Sequence, residues 1–384
     1  MSLLDSHGAP HIGIHRVCHI TTVHIENDIR IFVKECRSLA ALGMEVHLIV
    51  SSDGARDECV EGVHLHRLPR VRTRIARVSL TVARAAREAF RLRADLYHFH
   101  DPELMPLGLL FRLAGRKVIY DVHEDFPGTL LSKHYLPRWM RRPLHGLAHA
   151  FEQLAARCYN GMIVATPRIG EKFSADKTRV VNNFPILEEF AAPACIDYRL
   201  RPANVVYVGA ISRARGIDLM LRGAARSSAQ RFLLAGRFME SGLRERLESQ
   251  PEWKRVDFRG WIDRAALAAL LDQARVGLVL LRPEPNYVES QPIKLFEYMA
   301  SGLPVVVSDF PYWRRFVCES EFGPCGVLVD PEDTRAVAAA IDRLLNDPDE
   351  AWAMGRNGLR AVRERFNWSH EVGALLDLYR RVAA

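Results

Sequence analysis

The segment Glu289-Ser290-Gln291-Pro292-Ile293-Lys294-Leu295-Phe296-Glu297-Tyr298-Met299-Ala300-Ser301-Gly302-Leu303-Pro304-Val305-Val306-Val307 leaves its backbone few choices. Pro292 suits the first turn of a helix, where its missing N–H costs nothing. Gly302 suits the residue just past a helix end, and Pro304 blocks continuation. Val305, Val306 and Val307 then make a short β-branched run, the pattern of a strand buried on both faces of a parallel sheet. Glu289 therefore falls in a loop before a helix, and Glu297 within that helix. A loop leading into a helix N-terminus favours anions, because free N–H groups and the helix dipole both attract negative charge. Lys294 adds a cation. Two carboxylates flanking such a site suit the hydroxyls of a sugar and a ribose.

The rest of the chain supports a strand–helix alternation. Strands are expected over 16–20, 46–50, 96–99, 117–122 and 161–165. Between them come helices over 29–40, with Asp28 as N-cap and Gly43 as stop, then over 77–91, 106–113 and 147–158. Such an order means a parallel sheet with helices on both faces. Asn182, Asn183, Pro185, Pro193 and Pro202 interrupt the pattern, which restarts with strands over 204–208, 232–235, 256–258 and 276–281. The 384 residues thus divide into a first domain over 1–185, a linker over 186–202, a second domain over 203–365 and a terminal helix over 366–384.

A net charge of +7 favours polyanionic partners: phosphorylated substrates, an anionic membrane or nucleic acid. Arg67, Arg70, Arg72, Arg74, Arg77, Arg84, Arg87, Arg91 and Arg93 crowd one region. Arg77, Arg84 and Arg91 recur every seven residues, with Val78, Val82, Ala85 and Ala89 on another face. This reads either as a membrane-surface helix or as a solvated helix with a basic back. Arg138-Trp139-Met140-Arg141-Arg142 adds an aromatic among cations. Seven cysteines, with no C-x-x-C pair, argue for reduced thiols in the cytoplasm and against a cysteine zinc site. Met1 to His7 lacks the basic and apolar regions of a signal peptide, and no run of about 18 apolar residues offers a membrane span. The expected location is the cytoplasm, with attachment to the inner face of the plasma membrane open.

In an open α/β sheet, ligands bind at the carboxyl ends of strands. Three such ends are chemically rich: Thr21 to Arg30, His98-Phe99-His100-Asp101-Pro102-Glu103, and Tyr120-Asp121-Val122-His123-Glu124-Asp125. Strand alternation puts Asp121 and His123 on one side. Histidines of this kind are either site residues or satisfied core residues. Asp347-Pro348-Asp349 has a D-x-D form but falls in a turn between late helices. No H-E-x-x-H is present, and no metal ligand set is expected. Neither G-x-G-x-x-G after the first strand nor G-x-x-x-x-G-K-[ST] occurs, which argues against a nicotinamide dehydrogenase and a P-loop NTPase. A nucleic-acid- or polyanion-binding Rossmann protein without transferase activity stays as the alternative. The arginines lack interleaved stacking aromatics, which argues against nucleic acid.

The Glu289–Glu297 pair, followed by Tyr-Met-Ala-Ser-Gly-Leu-Pro-Val-Val, resembles glycosyltransferase family four, the retaining nucleotide-sugar transferases. The resemblance implies the GT-B fold, an α/β architecture of two Rossmann-like domains with parallel sheets facing a central cleft. It also implies transfer from a nucleotide-diphosphate sugar, with UDP-sugar expected, to a glycan or lipid-linked acceptor, with no metal or other cofactor. Cell-surface polysaccharide assembly is the implied pathway. His123 matches the family's active-site histidine, and Glu289 the carboxylate that holds the transferred sugar. Donor binding falls to Gly209, Arg213, Arg215, Trp261, Ile262, Lys294 and Glu297, with Glu297 on the ribose. Asp28, Arg30, His100 and Asp101 are assigned to the acceptor. The chain departs from the family in three places. The loop after the first strand lacks the usual glycine pair. Ala210 stands where an arginine is common, and Ser-Gln-Pro-Ile-Lys replaces a glycine-rich run.

Overall fold

A computed structural model describes residues 13–54, 57–71, 73, 77–132, 136–190 and 198–384. Met1 to His7, Arg72, Arg74, the side chain of Arg77, and Pro193 lie outside the described residues. By contact the chain forms two units: Met1–Asn183 with Ser369–Ala384, and Phe184–Trp368.

The first unit is built on eight strands: β1 (Arg16–Ile20), β2 (Glu45–Ser51), β3 (Asp57–Val60), β4 (Val63–Leu68), β5 (Leu96–Phe99), β6 (Lys117–Val122), β7 (Gly161–Val164) and β8 (Thr178–Val180). They lie in the order β3-β4-β2-β1-β5-β6-β7-β8. All pair parallel except β3 with β4. The central strands are apolar and buried on both faces, as a sheet covered by helices requires. β1 and β5 are neighbours in register, with His19 opposite His98. Asp28 caps the helical turn Ile29–Cys36, its Oδ1 accepting from the N–H of Arg30 and Ile31 at 2.9 and 3.0 Å. The terminal helix Trp368–Ala383 contributes the fully buried Tyr379 to the first unit.

The second unit holds β9 (Val205–Val208), β10 (Phe232–Ala235), β11 (Val256–Phe258), β12 (Val276–Val279), β13 (Val305–Ser308) and β14 (Gly326–Val329). Their order is β11-β10-β9-β12-β13-β14, all parallel. The helix Ile293–Ala300 starts directly after Pro292 and ends before Gly302, whose φ of +67° suits only a residue without Cβ. β13 follows, wholly buried. Phe184 and Phe190, from the stretch around the expected linker, are buried in this unit's core, where Phe184 packs on Phe296 and Phe366.

Two expected details change. The basic helix is Val82–Leu92 with Ala85 and Ala89 buried, but Val78 is half exposed. Asp347 is a helix cap, not merely a turn: its Oδ1 accepts from the N–H of Glu350 at 2.9 Å.

Candidate functional site

Each unit places polar side chains at the carboxyl ends of its central strands, and the two sets differ in charge. In the second unit the set is cationic. Tyr207 lies at the end of β9 and Gly209 just past it, and Lys294 rises from the first turn of Ile293–Ala300. Lys294 Nζ lies 4.0 Å from the centroid of the Tyr207 ring. A Cβ on Gly209, where φ is +130°, would stand 2.7 Å from that nitrogen, so glycine is required for the lysine to sit there. Lys294 is buried, and its Nζ has no hydrogen-bond partner among the described residues. Burial, and then the charge of Arg215, push the ammonium well below the ordinary lysine range, while Glu297 pulls the other way. A buried, unpaired cation is costly unless something anionic answers it.

The other expected donor residues divide. Arg215 lies close enough to Lys294 to act on its charge. Arg213 does not join them: Glu240 accepts from its backbone N–H and its Nε, both at 2.8 Å, and the side chain is exposed. Glu297 is buried and its Oε1 accepts from Arg264 Nη1 at 2.5 Å, while Arg264 also pairs with Glu189. Trp261 is exposed beside Arg237, and Ile262 packs on the core. Glu289 is exposed at the end of the short helix Pro285–Val288. The loop after it is anchored by Trp313 Nε1, which donates to Ser290 O at 2.8 Å, and by Gln291 Nε2, which donates to Tyr312 Oη at 2.6 Å.

In the first unit the ends of β1, β5 and β6 gather imidazoles and carboxylates. His123 Nε2 lies 2.8 Å from Asp121 Oδ2 and 3.2 Å from His100 Nδ1. His100 is sealed, and burial outweighs the pull of Asp121, taking its pKa down to about 4. His123 and His24 keep exposed edges, 19% and 28% of their side chains, and their rings are 4.9 Å apart. His24 also meets Asp101 Oδ1 at 3.1 Å. Desolvation opposes that carboxylate's charge, but His24 and the Thr22 N–H hold Asp101 below the usual carboxylate range.

Three of the residues expected at the acceptor are buried and internally paired. Arg30 is buried, donating from Nε and Nη2 to the two oxygens of Asp121 at 2.8 and 2.7 Å and from Nη1 to Val181 O at 2.8 Å. Its fork is filled by internal partners. Asp101 is buried and satisfied by Thr21, Thr22 and Val23, and it builds the loop. His100 is behind His123, not at the surface. Asp28 is partly exposed and serves as the helix cap. Two residues of the chemically rich strand ends had been given no role: His24, which follows β1, and Asp121, which ties Arg30, His100 and His123 together.

A "Glycosyl transferase 4-like domain" model matches residues 31–183, and "Glycosyl transferases group 1" matches 202–347. The chain is 25% identical over 319 residues to an MMP alpha-(1->4)-mannosyltransferase of Mycolicibacterium hassiacum, covering 78% of this chain and 74% of that protein. It is 23% identical to a GDP-mannose:cellobiosyl-diphosphopolyprenol alpha-mannosyltransferase of Xanthomonas campestris, over 74% of each. The solved sucrose-phosphate synthase from Thermosynechococcus elongatus superposes with a TM-score of 0.76 at 22% identity, covering 96% of this chain and 99% of that one. Two parallel-sheet α/β units with these matches define a GT-B protein. The chain belongs to the family-four type of glycosyltransferases, and it is a glycosyltransferase enzyme.

Proposed function

We propose that this enzyme transfers a sugar, with retention of anomeric configuration, from a nucleoside-diphosphate sugar to a hydroxyl of a glycan or lipid-linked acceptor. The observation that carries the reading is Lys294: a buried ammonium with no hydrogen-bond partner among the described residues, beside Gly209 and near Arg215. A diphosphate would supply the missing counter-charge. As the glycosidic bond breaks, charge grows on the leaving diphosphate, and cations held in place before the reaction stabilise it without reorganising. The acceptor hydroxyl would attack from the leaving group's own face and pass its proton to the leaving phosphate oxygen. His123, which keeps an exposed edge, would hold a sugar hydroxyl, with Asp121 orienting the ring. The Xanthomonas relative named for a diphosphopolyprenol acceptor supports a lipid-linked substrate, and cell-surface polysaccharide assembly is the pathway proposed.

Uridine is the base first expected; the relative named for GDP-mannose makes a guanosine donor the second reading. Thermal shift against nucleoside diphosphates and their sugars tests both. A ligand at a hundred times its Kd stabilises by about 2.7 kcal/mol. No shift with any nucleoside diphosphate would defeat the proposal.

Glu297 is proposed to hold the donor ribose despite its pair with Arg264. Glu297→Gln keeps the volume and weakens charge-assisted hydrogen bonds by roughly 1.5–3 kcal/mol. The donor KM should rise about ten-fold or more. Unchanged donor kinetics in a folded variant would remove Glu297 from the donor site.

Transfer is proposed to need no divalent metal, since Lys294, Arg215 and the helix start supply positive charge to the diphosphate. The rate should persist in EDTA and gain nothing from magnesium or manganese. Loss in EDTA with rescue by magnesium would show that the cations are insufficient.

The enzyme is proposed to act in the cytoplasm, attached peripherally to anionic membranes. Among the described residues every cysteine is free, and no helix is long and apolar enough to cross a membrane. Arg84 and Arg87 are exposed on the basic helix, whereas Arg91 is engaged by Glu88. Trp139 is 77% exposed, beside the exposed Arg138 and Arg142. Cations near an anionic surface contribute about 1 kcal/mol each, screened over about 8 Å at physiological salt. Co-sedimentation with anionic vesicles should therefore fall as salt rises. Equal binding to neutral vesicles would return the stripe to a solvated helix face.

A further inference from the structure

Behind His123, the first unit buries four side chains whose chemistry the transfer reaction does not use. His19 comes from β1, His98 from β5, His100 from just beyond β5, and Glu35 from the turn Ile29–Cys36. None is more than 2% exposed. One ligand-capable atom from each lies within 4.8 Å of the others. The inner edges face one another: His19 Nδ1 is 3.0 Å from His100 Nε2 and 3.9 Å from Glu35 Oε2, and His98 Nε2 is 3.9 Å from the same oxygen. The outer edges are held from behind. Tyr379 Oη lies 2.8 Å from His98 Nδ1 and 3.3 Å from His19 Nε2, and Asp121 Oδ2 lies 3.1 Å from His100 Nδ1.

Among the described residues, His98 Nε2 and both oxygens of Glu35 are buried without a geometric hydrogen-bond partner, although burial and then the nearby Asp121 push the Glu35 carboxyl above its usual range. Arg30 Nε approaches Glu35 Oε1 at 3.3 Å, but that guanidinium is committed bidentately to Asp121. Two buried carboxylates thus share one cation, and an unsatisfied imidazole nitrogen points at one of them. Leaving such groups unanswered is costly. Imidazoles whose far nitrogens are fixed by a phenol or a carboxylate are arranged as metal ligands are. A tetrahedral ion with bonds of about 2.0–2.1 Å sets its ligands about 3.3 Å apart. Three of the six separations, 3.0, 3.9 and 3.9 Å, bracket that spacing, and all six lie within 4.8 Å.

We propose that His19 Nδ1, His98 Nε2, His100 Nε2 and the Glu35 carboxylate bind one divalent transition-metal ion of the zinc class. Four protein ligands sealed from solvent leave no open coordination position, so the ion is structural: it pins β1 and β5 to the turn Ile29–Cys36. Sealed from solvent on all sides, the ion takes no part in leaving-group stabilisation.

The experiment is metal analysis of the untagged full-length enzyme grown with zinc and desalted, with cobalt(II) as the spectroscopic probe. About one zinc per chain is expected. Refolding the stripped chain in cobalt(II) should give the visible bands of a tetrahedral ion and a higher Tm than refolding without it. Glu35→Gln, which keeps the volume, and His98→Ala should lose most of the metal, and Tyr379→Phe should weaken binding by about 10–100-fold. Wild-type protein that carries less than a tenth of an equivalent and takes up no cobalt overturns the proposal, leaving Glu35 protonated in a metal-free cluster. A full equivalent surviving in folded Glu35→Gln and His98→Ala also overturns it, by placing the ion elsewhere. Asp57→Asn, in the separate cluster with His66 and Glu88, should retain its metal. If His98→Ala does not fold, the wild-type stoichiometry and Glu35→Gln decide.

Discussion

Lys294→Met should lower kcat by roughly 10²–10³-fold, the range found when one preorganised donor to a developing oxyanion is removed. The folded protein should not suffer in parallel. Lys294 Nζ is buried without a hydrogen-bond partner among the described residues, and methionine has a similar length without the charge. Replacing a buried ion by a well-fitting apolar side chain is often neutral or stabilising. The expected pattern is thus a transferase with little activity, weakened affinity for nucleoside diphosphates, and a Tm equal to or above that of the parent. Steady-state kinetics with nucleoside-diphosphate thermal shift checks it. A variant that keeps its kcat would show that the lysine is merely tolerated; one that loses activity by unfolding would show that Lys294 is a packing residue.

Arg30→Met should act in the opposite way, through stability. Arg30 is the buried counter-charge of Asp121, with two hydrogen bonds to its carboxylate, and lies 3.3 Å from Glu35. Removing one partner of a buried pair costs about 3–5 kcal/mol, because the remaining charge stays behind. For a unit of this size each kcal/mol shifts Tm by about 2–4 °C, so a fall of at least about 6 °C is expected. The pH dependence follows from Asp121. Burial alone would raise its pKa, but Arg30 first and then His123 and His100 hold it well below the usual carboxylate range. A carboxylate depressed in the folded state stabilises fully above its unfolded pKa of about 4, and the benefit disappears as pH falls toward the folded value. Without Arg30 the loss should begin at higher pH. Thermal melts of both proteins from pH 7 downward measure this. Equal melting temperatures throughout would show that Asp121 finds its charge balance elsewhere.

Local chemistry was legible where the signal lies within a few residues. Pro292, Gly302 and Val305 to Val307 announced a helix, a stop and a buried strand, and Ile293–Ala300 and β13 follow that plan. Asp28 was legible as a cap for the same reason. The strands toward the two edges of the first sheet were less so. β4 carries His64, His66 and Arg67 among its apolar residues, and β8 is three residues long, so neither shows a clean period. The histidine cluster was visible only in part. His98, His100 and His123 stand near strand ends in the sequence, but Glu35 and Tyr379 reach them from other elements, and no spacing rule joins residues so far apart.

Which cations face a ligand and which are consumed internally was decided by tertiary structure alone. Arg30, Arg213 and Lys294 look alike as isolated basic residues in promising loops. Asp121, 91 residues from Arg30, closes on its guanidinium, and Glu240, 27 residues from Arg213, takes that one. Lys294 alone of the three is left buried without a hydrogen-bond partner among the described residues. Covalent geometry and side-chain period act between chain neighbours, so the sequence by itself determined the Asp28 cap, the helix Ile293–Ala300 with its stop, and the central strands. Charge pairing acts through space and falls off with distance and solvent, so the role of each cation followed from which strands the sheet order set side by side.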